Sequence, residues 1–316
     1  ADAVRKQLLE IQSTGAEYVL ILAGDHLYRM DYSEMAEFHW NNDADITIAV
    51  QPVAHDQAYR FGILKRTPDG RIADFAEKPK DPQRLQQFVS RDDPQRPYLG
   101  SMGIYLFKTQ VLIDLLSSTT DDDFGGEVIP KAISTHKIYG FDFDGYWEDI
   151  GTIRSFYETN LSLTDADSPF DFHDPAQPIY TRARFLPGSI IDGATLHSAL
   201  VAEGVRIYRA EIRHSIVGLR GYVSNGVRMT DTIFMGADYY DAPHRPPAGG
   251  VPLGIGPDCQ IQGAILDKNV RIGAGVIIRP FPLGTEIDHE DWTVRDGIVV
   301  IPKNTTLCAG TVIGPE

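Results

Sequence analysis

Hydrophobic positions follow two rhythms along this chain, and the change between them falls near residue 165. In the first stretch, segments of helical and strand-like spacing alternate. Val4, Leu8 and Ile11 recur at helical intervals. Tyr18-Val19-Leu20-Ile21-Leu22-Ala23 is a continuous apolar run that breaks at Gly24-Asp25, the pattern of a buried strand delivering a carboxylate to a sheet's C-terminal edge. Tyr32 to Asn41 reads as a helix and Asp45 to Val50 as a strand. Phe61 to Lys65 and Arg71 to Phe75 flank Pro68-Asp69-Gly70, which predicts a β-hairpin. Gly103 to Phe107 is a further strand, followed by an apolar helix from Val111 to Leu116, and Ile153 to Leu163 closes the stretch as a helix. Strands alternating with helices predict an α/β fold with a mainly parallel, doubly wound sheet.

Residues 165–187 are rich in Asp, Pro and Ser and read as a linker. Beyond it, apolar residues recur six apart: Ile190 and Leu196, Val217 and Val223, Val227 and Ile233, Ile255 and Ile261, Val270 and Val276, Ile272 and Ile278, Ile301 and Leu307. Gly, Asp and Asn fill the spaces. This repetition predicts a hexapeptide-repeat β-helix of three short strands per coil around an aliphatic core. An irregular β-sandwich competes less well, because its strands recur at roughly 8–12 residues. Asp238 to Gly250 interrupts the repeat as an excursion loop. The resulting segmentation is 1–164, a linker at 165–187, and 188–316.

The chain has 316 residues, enough for two domains and a sizeable core. No apolar run approaches the roughly 20 residues that cross a bilayer, and no secretory signal stands at the start. The net charge of −15 sets up a field that disfavours nucleic acid and anionic membranes as partners. A phosphate ligand would need local attraction instead, from a few placed cations, backbone N–H groups or a metal. The only cysteines, Cys259 and Cys308, indicate neither a disulfide scaffold nor a Cys-based zinc site. A reducing cytoplasm, or an organelle stroma, fits this usage.

Candidate chemistry rests first on Asp25 and on Asp149 in Tyr146-Trp147-Glu148-Asp149-Ile150-Gly151. Two carboxylates at such an edge can hold one Mg²⁺ against a substrate phosphate. Taken singly, each Asp also reads as a turn or helix-cap residue.

The motifs together resemble glucose-1-phosphate adenylyltransferase (ADP-glucose pyrophosphorylase), in its cyanobacterial and plant-type branch. The matching strings are Ala23-Gly24-Asp25-His26-Leu27-Tyr28-Arg29-Met30-Asp31-Tyr32, Phe75-Ala76-Glu77-Lys78-Pro79, Gly100-Ser101-Met102-Gly103-Ile104-Tyr105, Asp123-Phe124-Gly125 and Tyr146-Trp147-Glu148-Asp149-Ile150-Gly151-Thr152. Further on stand Ser215-Ile216-Val217-Gly218-Leu219-Arg220, Met235-Gly236-Ala237-Asp238-Tyr239-Tyr240 and Leu266-Asp267-Lys268-Asn269. The resemblance implies a doubly wound, Rossmann-like nucleotidyltransferase domain, incomplete at its N-terminus, followed by a left-handed parallel β-helix. It implies the conversion of ATP and glucose 1-phosphate to ADP-glucose and pyrophosphate, toward glycogen or starch. By the same resemblance Asp25 and Asp149 hold Mg²⁺, Lys78 contacts the phosphate of glucose 1-phosphate, and Glu77 accepts sugar hydroxyls. Ser101, Tyr105, Asp123, Phe124 and Trp147 complete the glucose pocket. Without the motif, Lys78 and Glu77 read as solvated surface residues, the three aromatics as core, and Asp123 as part of an acidic turn. Lys268 and Lys303 match positions that bind an anionic effector such as 3-phosphoglycerate. A homotetramer, or a heterotetramer of related subunits, is implied, located in the cytoplasm or, in a plant, the plastid stroma. His197 and His214 do not by themselves argue for the acyltransferase chemistry of other β-helix proteins.

One part of the family pattern is missing: the Gly-rich loop that cradles the ATP phosphates. Ala1-Asp2-Ala3-Val4 matches a segment downstream of it, so the chain alone is expected to be inactive. Two alternatives remain, a non-catalytic regulatory subunit and a sugar nucleotidyltransferase using GTP or UTP. Retention of Asp25, Lys78 and Asp149 favours catalysis over the former.

Overall fold

A computed structural model describes residues 1–241 and 250–315. The described chain forms two compact units: Ala1–Gly24 with Tyr28–Gly145, and Asp25–Leu27 with Tyr146 onward.

The first unit is built on β1 (Tyr18–Ile21), β3 (Ile46–Val53), β4 (Gly62–Arg66), β5 (Ile72–Glu77), β6 (Tyr98–Lys108) and β7 (Ile138–Asp142), whereas β2 (His26–Tyr28) and β8 (Trp147–Asp149) form a two-stranded ribbon that belongs, but for Tyr28, to the second unit. The main sheet runs β5-β4-β6-β3-β7, and β1 pairs with β6. Its directions are mixed. β7 is parallel to β3, whereas β1 and β3 are both antiparallel to β6. A helix at Tyr32–Asn41 connects the like-directed β1 and β3, as helix–strand alternation leads one to expect. The long β6 then enters between them from the hairpin side, so the sheet is not mainly parallel. Its first half borders β4 and its second half borders β1.

The hairpin forms where Pro68-Asp69-Gly70 places it: Gly62 pairs with Glu77 and Leu64 with Phe75. Gly70 adopts φ +89°, a conformation that costs a residue with a Cβ. β1 is shorter than the apolar run suggests. It ends at Ile21, every residue in it is only half-buried, and Leu22 is exposed, because the strand lies at the sheet's margin. β7 has no counterpart in the sequence reading; five residues broken by Gly140 carry too little pattern. The core gathers Ile46, Ile48, Leu64, Leu99, Phe107, Leu112 and Ile138.

The second unit contains the coils. Thr195 pairs in parallel with Glu211, Glu211 with Arg228, and Arg228 with Gln260, each one turn on. Val217 and Val223, Ile255 and Ile261, Val270 and Val276, Ile272 and Ile278, and Ile301 and Leu307 all enter one buried aliphatic cluster. Ile190 does not: it is 47% exposed on the first strand of the stack. Ile233 points outward and is buried by other means. With Ile265 and Ile298 it receives Leu161 from the helix at Ile153–Ser162. That contact explains why this helix belongs to the second unit, although the sequence segmentation runs the first domain to residue 164. Thr152 caps the helix, accepting from Ser155 N–H in a reciprocal capping box. Residues 165–187 hold no helix or strand, yet Phe170 within them is buried, edge-on to Phe172 and beside Tyr146. The excursion expected at 238–250 falls mostly on residues 242–249, outside those described. Among the described residues no helix is long and apolar enough to cross a membrane.

Candidate functional site

Asp25 and Asp149 come together although 124 positions of chain separate their numbers. Ile150 N–H donates to Asp25 O at 2.9 Å, which locks the Asp25 turn beside the end of β8. The carboxylates and the His26 ring offer ligand atoms that all lie within 4.8 Å of one another. Gly151 fits the pair. Its N–H donates to Asp149 Oδ1 at 2.9 Å, and a Cβ at that position would stand 3.0 Å from both Asp149 Oδ1 and Asp25 Oδ2. A side chain there would therefore crowd the space a cation needs. Two carboxylate oxygens suit a hard cation such as Mg²⁺, so these residues fit one. His26 received no role from the sequence. Its imidazole sits edge-to-face on Trp147, with centroids 5.1 Å apart. Trp147 thus belongs with the carboxylate pair in the second unit, whereas the other residues expected around the sugar are in the first.

Glu77 and Lys78 end the hairpin. Lys78 holds φ +43°, a left-handed conformation that is uncommon and costly for a side-chain-bearing residue and that concentrates at functional sites. Its N–H donates to Phe61 O at 3.1 Å, and its ammonium lies 3.7 Å from Glu77 Oε1. Glu77 is walled by glycines: a Cβ on Gly62 would meet its Oε2 at 2.8 Å, and one on Gly125 at 2.9 Å. Burial pushes its carboxyl above the usual range; Lys78 offsets this in part and Asp123 adds to it. A carboxyl with a raised folded pKa favours the fold in acid, and that contribution is lost as pH rises through the folded value. Glu77→Gln is therefore expected to raise the thermal midpoint at pH 7 and change it little below pH 4. A midpoint lowered at pH 7 would contradict the burial argument.

Ser101 and Tyr105 owe their placement to an irregularity in β6. The register steps from Ile48↔Tyr105 to Val50↔Ser101, so extra residues bulge out around Gly103, at φ +67°. Gly103 N–H donates to Ser101 Oγ at 3.3 Å. Tyr105 and Phe124 are core residues, 6% and 7% exposed, with ring centroids 5.4 Å apart. Burial pushes the Tyr105 hydroxyl up to about 12. Asp123 caps the turn that follows, accepting from Gly126 N–H at 2.8 Å.

Lys268 and Lys303 occupy equivalent corners of successive coils, because Arg271 pairs with Thr306 one strand further on. In-register stacking brings like charges to about one strand spacing, ~4.8 Å, along the coil axis. Asp238 answers both. It lies 3.2 Å from Lys268 Nζ and 2.6 Å from Lys303 Nζ, and also accepts from Asn269 Nδ2 at 3.2 Å. The Lys303 and Lys268 ammoniums hold its carboxyl down to about 2. His214 is engaged structurally, Nδ1 to Asp231 Oδ1 at 2.6 Å.

Comparison with known proteins agrees with this architecture. Residues 1–166 match the family described as Nucleotidyl transferase, and residues 184–312 match the GLGC left-handed parallel beta-helix domain. The chain is 43% identical to the chloroplastic/amyloplastic glucose-1-phosphate adenylyltransferase small subunit of Triticum aestivum, over 99% of its own length and 70% of that protein's. It is 41% identical to large subunit 1 of the Zea mays enzyme, again over 99% of its length, and spans 64% of that relative.

Proposed function

Because the chain belongs to the glucose-1-phosphate adenylyltransferase family, we propose that its protein joins ATP and glucose 1-phosphate into ADP-glucose and pyrophosphate. The observation that carries this reading is the Asp25–Asp149 pair beside Gly151. In the reaction, a phosphate oxygen of glucose 1-phosphate forms a bond to the α-phosphorus of ATP, and the bond to the departing pyrophosphate breaks. Such a transfer needs positioning and charge neutralisation more than covalent help. Bound Mg²⁺ would supply neutralisation of the phosphate oxygens. Asp25 and Asp149 would hold it, and Gly151 N–H would orient Asp149. Lys78 would contribute a compact positive charge to the sugar phosphate. Glu77, Ser101 and Asp123 would take the sugar's hydroxyls over a floor of Tyr105 and Phe124, and a sugar-binding role for Trp147 rests on the family resemblance alone.

The lysine pair extends the reading to regulation by a small phosphorylated acid such as 3-phosphoglycerate. Two ammoniums already gathered by one carboxylate are placed to receive a dianion. The names of the relatives, with large and small subunits in plastids, support an oligomer of related chains in a plastid stroma, or the cytoplasm outside plants.

The test is an assay of the protein at its natural full length with glucose 1-phosphate and ATP, GTP or UTP. ADP-glucose formation at least tenfold faster than either alternative product is expected, with stimulation by 3-phosphoglycerate that Lys303→Ala weakens. Preference for GTP or UTP would refute the adenylyl reading. Binding of both substrates without turnover would support a regulatory subunit instead.

A further inference from the structure

Among the described residues, a second group of cations on the coils has no carboxylate in an ion pair with it. Arg206 and Arg220 both lie against the ring of Tyr240, their guanidinium carbons 5.8 and 5.9 Å from its centroid. Tyr240 is pinned from the other end: its hydroxyl donates to Gly204 O at 2.9 Å. A Cβ on Gly204 would fall 2.3 Å from that hydroxyl, so the ring's position depends on a glycine there. The two arginines border a cavity of about 200 Å³ together with Tyr222, Tyr240, Asp241 and Leu253.

The electrostatics of this cavity are unbalanced. Arg220 Nη1 donates to the Ala237 carbonyl at 3.2 Å, a neutral acceptor that leaves its charge uncompensated. Among the described residues neither arginine forms an ion pair, and residues 242–249 contain no Asp or Glu in sequence. The one carboxylate at the cavity is committed elsewhere. Asp241 is held by Arg271, Nη2 to Oδ1 at 2.6 Å and Nη1 to Oδ2 at 3.0 Å, and also accepts from Leu253 N–H at 2.8 Å. In a chain of net charge −15, two permanent cations at one cavity that form no ion pair among the described residues stand out.

We propose that Arg206, Arg220 and Tyr240 form a binding site for a small phosphate dianion, distinct from the lysine pair. Guanidinium forks match phosphate oxygens in geometry, and among the described residues the Arg206 side chain donates no hydrogen bond. The volume is below the 300–1,000 Å³ typical of larger ligands, which limits the occupant to orthophosphate or a short phosphate monoester. Tyr222 and Leu253 give such a monoester an apolar wall. Asp238, which gathers the lysines, lies two residues before Tyr240, so one short segment borders both cationic groups.

The test is calorimetric titration with inorganic phosphate at low ionic strength. The proteins are wild type, Arg206→Gln, Arg220→Gln, Arg206→Lys and the double variant Lys268→Ala/Lys303→Ala. Loss of a charge-assisted hydrogen bond predicts at least tenfold weaker binding in each Gln variant. Arg206→Lys should recover part of it, and the lysine double variant should retain a phosphate site of wild-type affinity. Circular dichroism identifies any variant that fails to fold, and Arg206→Gln, on an exposed side chain, remains the decisive one. Absence of phosphate binding in wild type, equal affinity in the Gln variants, or loss of all binding in the lysine double variant alone would each overturn the proposal. The last outcome would leave the lysine reading intact, whereas unchanged lysine-variant binding with loss in the arginine variants separates the two sites.

Discussion

Asp149→Asn is expected to lower turnover by about 10²–10³-fold or more, with little change in the fold. Asn is nearly isosteric, and its side-chain oxygen can still accept the Gly151 N–H that Asp149 accepts at 2.9 Å. The loss is one negative charge from a pair whose ligand atoms converge within 4.8 Å. A cation held by one carboxylate instead of two binds more weakly and neutralises the transferring phosphate less well. Part of the defect should therefore be recovered by raising Mg²⁺, while glucose 1-phosphate affinity, which the proposed function assigns to Glu77 and Lys78, is expected to change little. Kinetics at two Mg²⁺ concentrations check this. Wild-type turnover in the variant would remove Asp149 from the metal role.

Gly236→Ala is expected to destabilise the coils by about 3 kcal/mol, whereas Gly275→Ala should cost only about 1 kcal/mol. Both glycines are left-handed, at φ +79° and +66°, a conformation that costs an L-residue roughly 1–2 kcal/mol. They differ in what a Cβ would meet. At Gly275 nothing stands within 4 Å. At Gly236 the Leu219 carbonyl oxygen would lie 2.1 Å away and Gly218 C and O 2.6 Å away, all backbone atoms of the preceding coil. Backbone cannot rotate aside as a side chain does, so the coils must part locally, an overpacking cost of about 1–3 kcal/mol. Hydrogen exchange of the amides from Arg228 to Phe234 reports on this directly. Equal effects of the two substitutions would show that φ alone, and not coil contact, decides the cost.

The coils were legible because their core is written locally. Val and Ile six apart become the lining of one aliphatic cluster, and each pair can be read without knowing its neighbours. Ile233 broke the pattern for a non-local reason: the helix at Ile153–Ser162 supplies Leu161 to cover an outward-facing aliphatic row. Strand direction in the first unit was illegible, because β6 carries the same apolar pattern whether it runs with or against its neighbours.

The site divides along the same line. Asp25, Asp149, Glu77 and Lys78 stand out in sequence through their motifs, and in the structure through convergence and an unusual φ. Tyr105 and Phe124 take the buried places that aromatic residues ordinarily take. Asp238 as partner of two lysines could not be read, since it depends on which corners stack. Nor could the Arg206–Tyr240–Arg220 group, whose members come from separate coils and an interruption between them.

The central claim is that Asp25 and Asp149 jointly hold a divalent cation. A titration with Mn²⁺, followed by loss of the free ion's paramagnetic resonance signal, tests it without requiring turnover. The account predicts a saturable Mn²⁺ site in the wild type, displaced by Mg²⁺ and weakened at least tenfold by either Asp25→Asn or Asp149→Asn. Undiminished Mn²⁺ binding in both variants would contradict it.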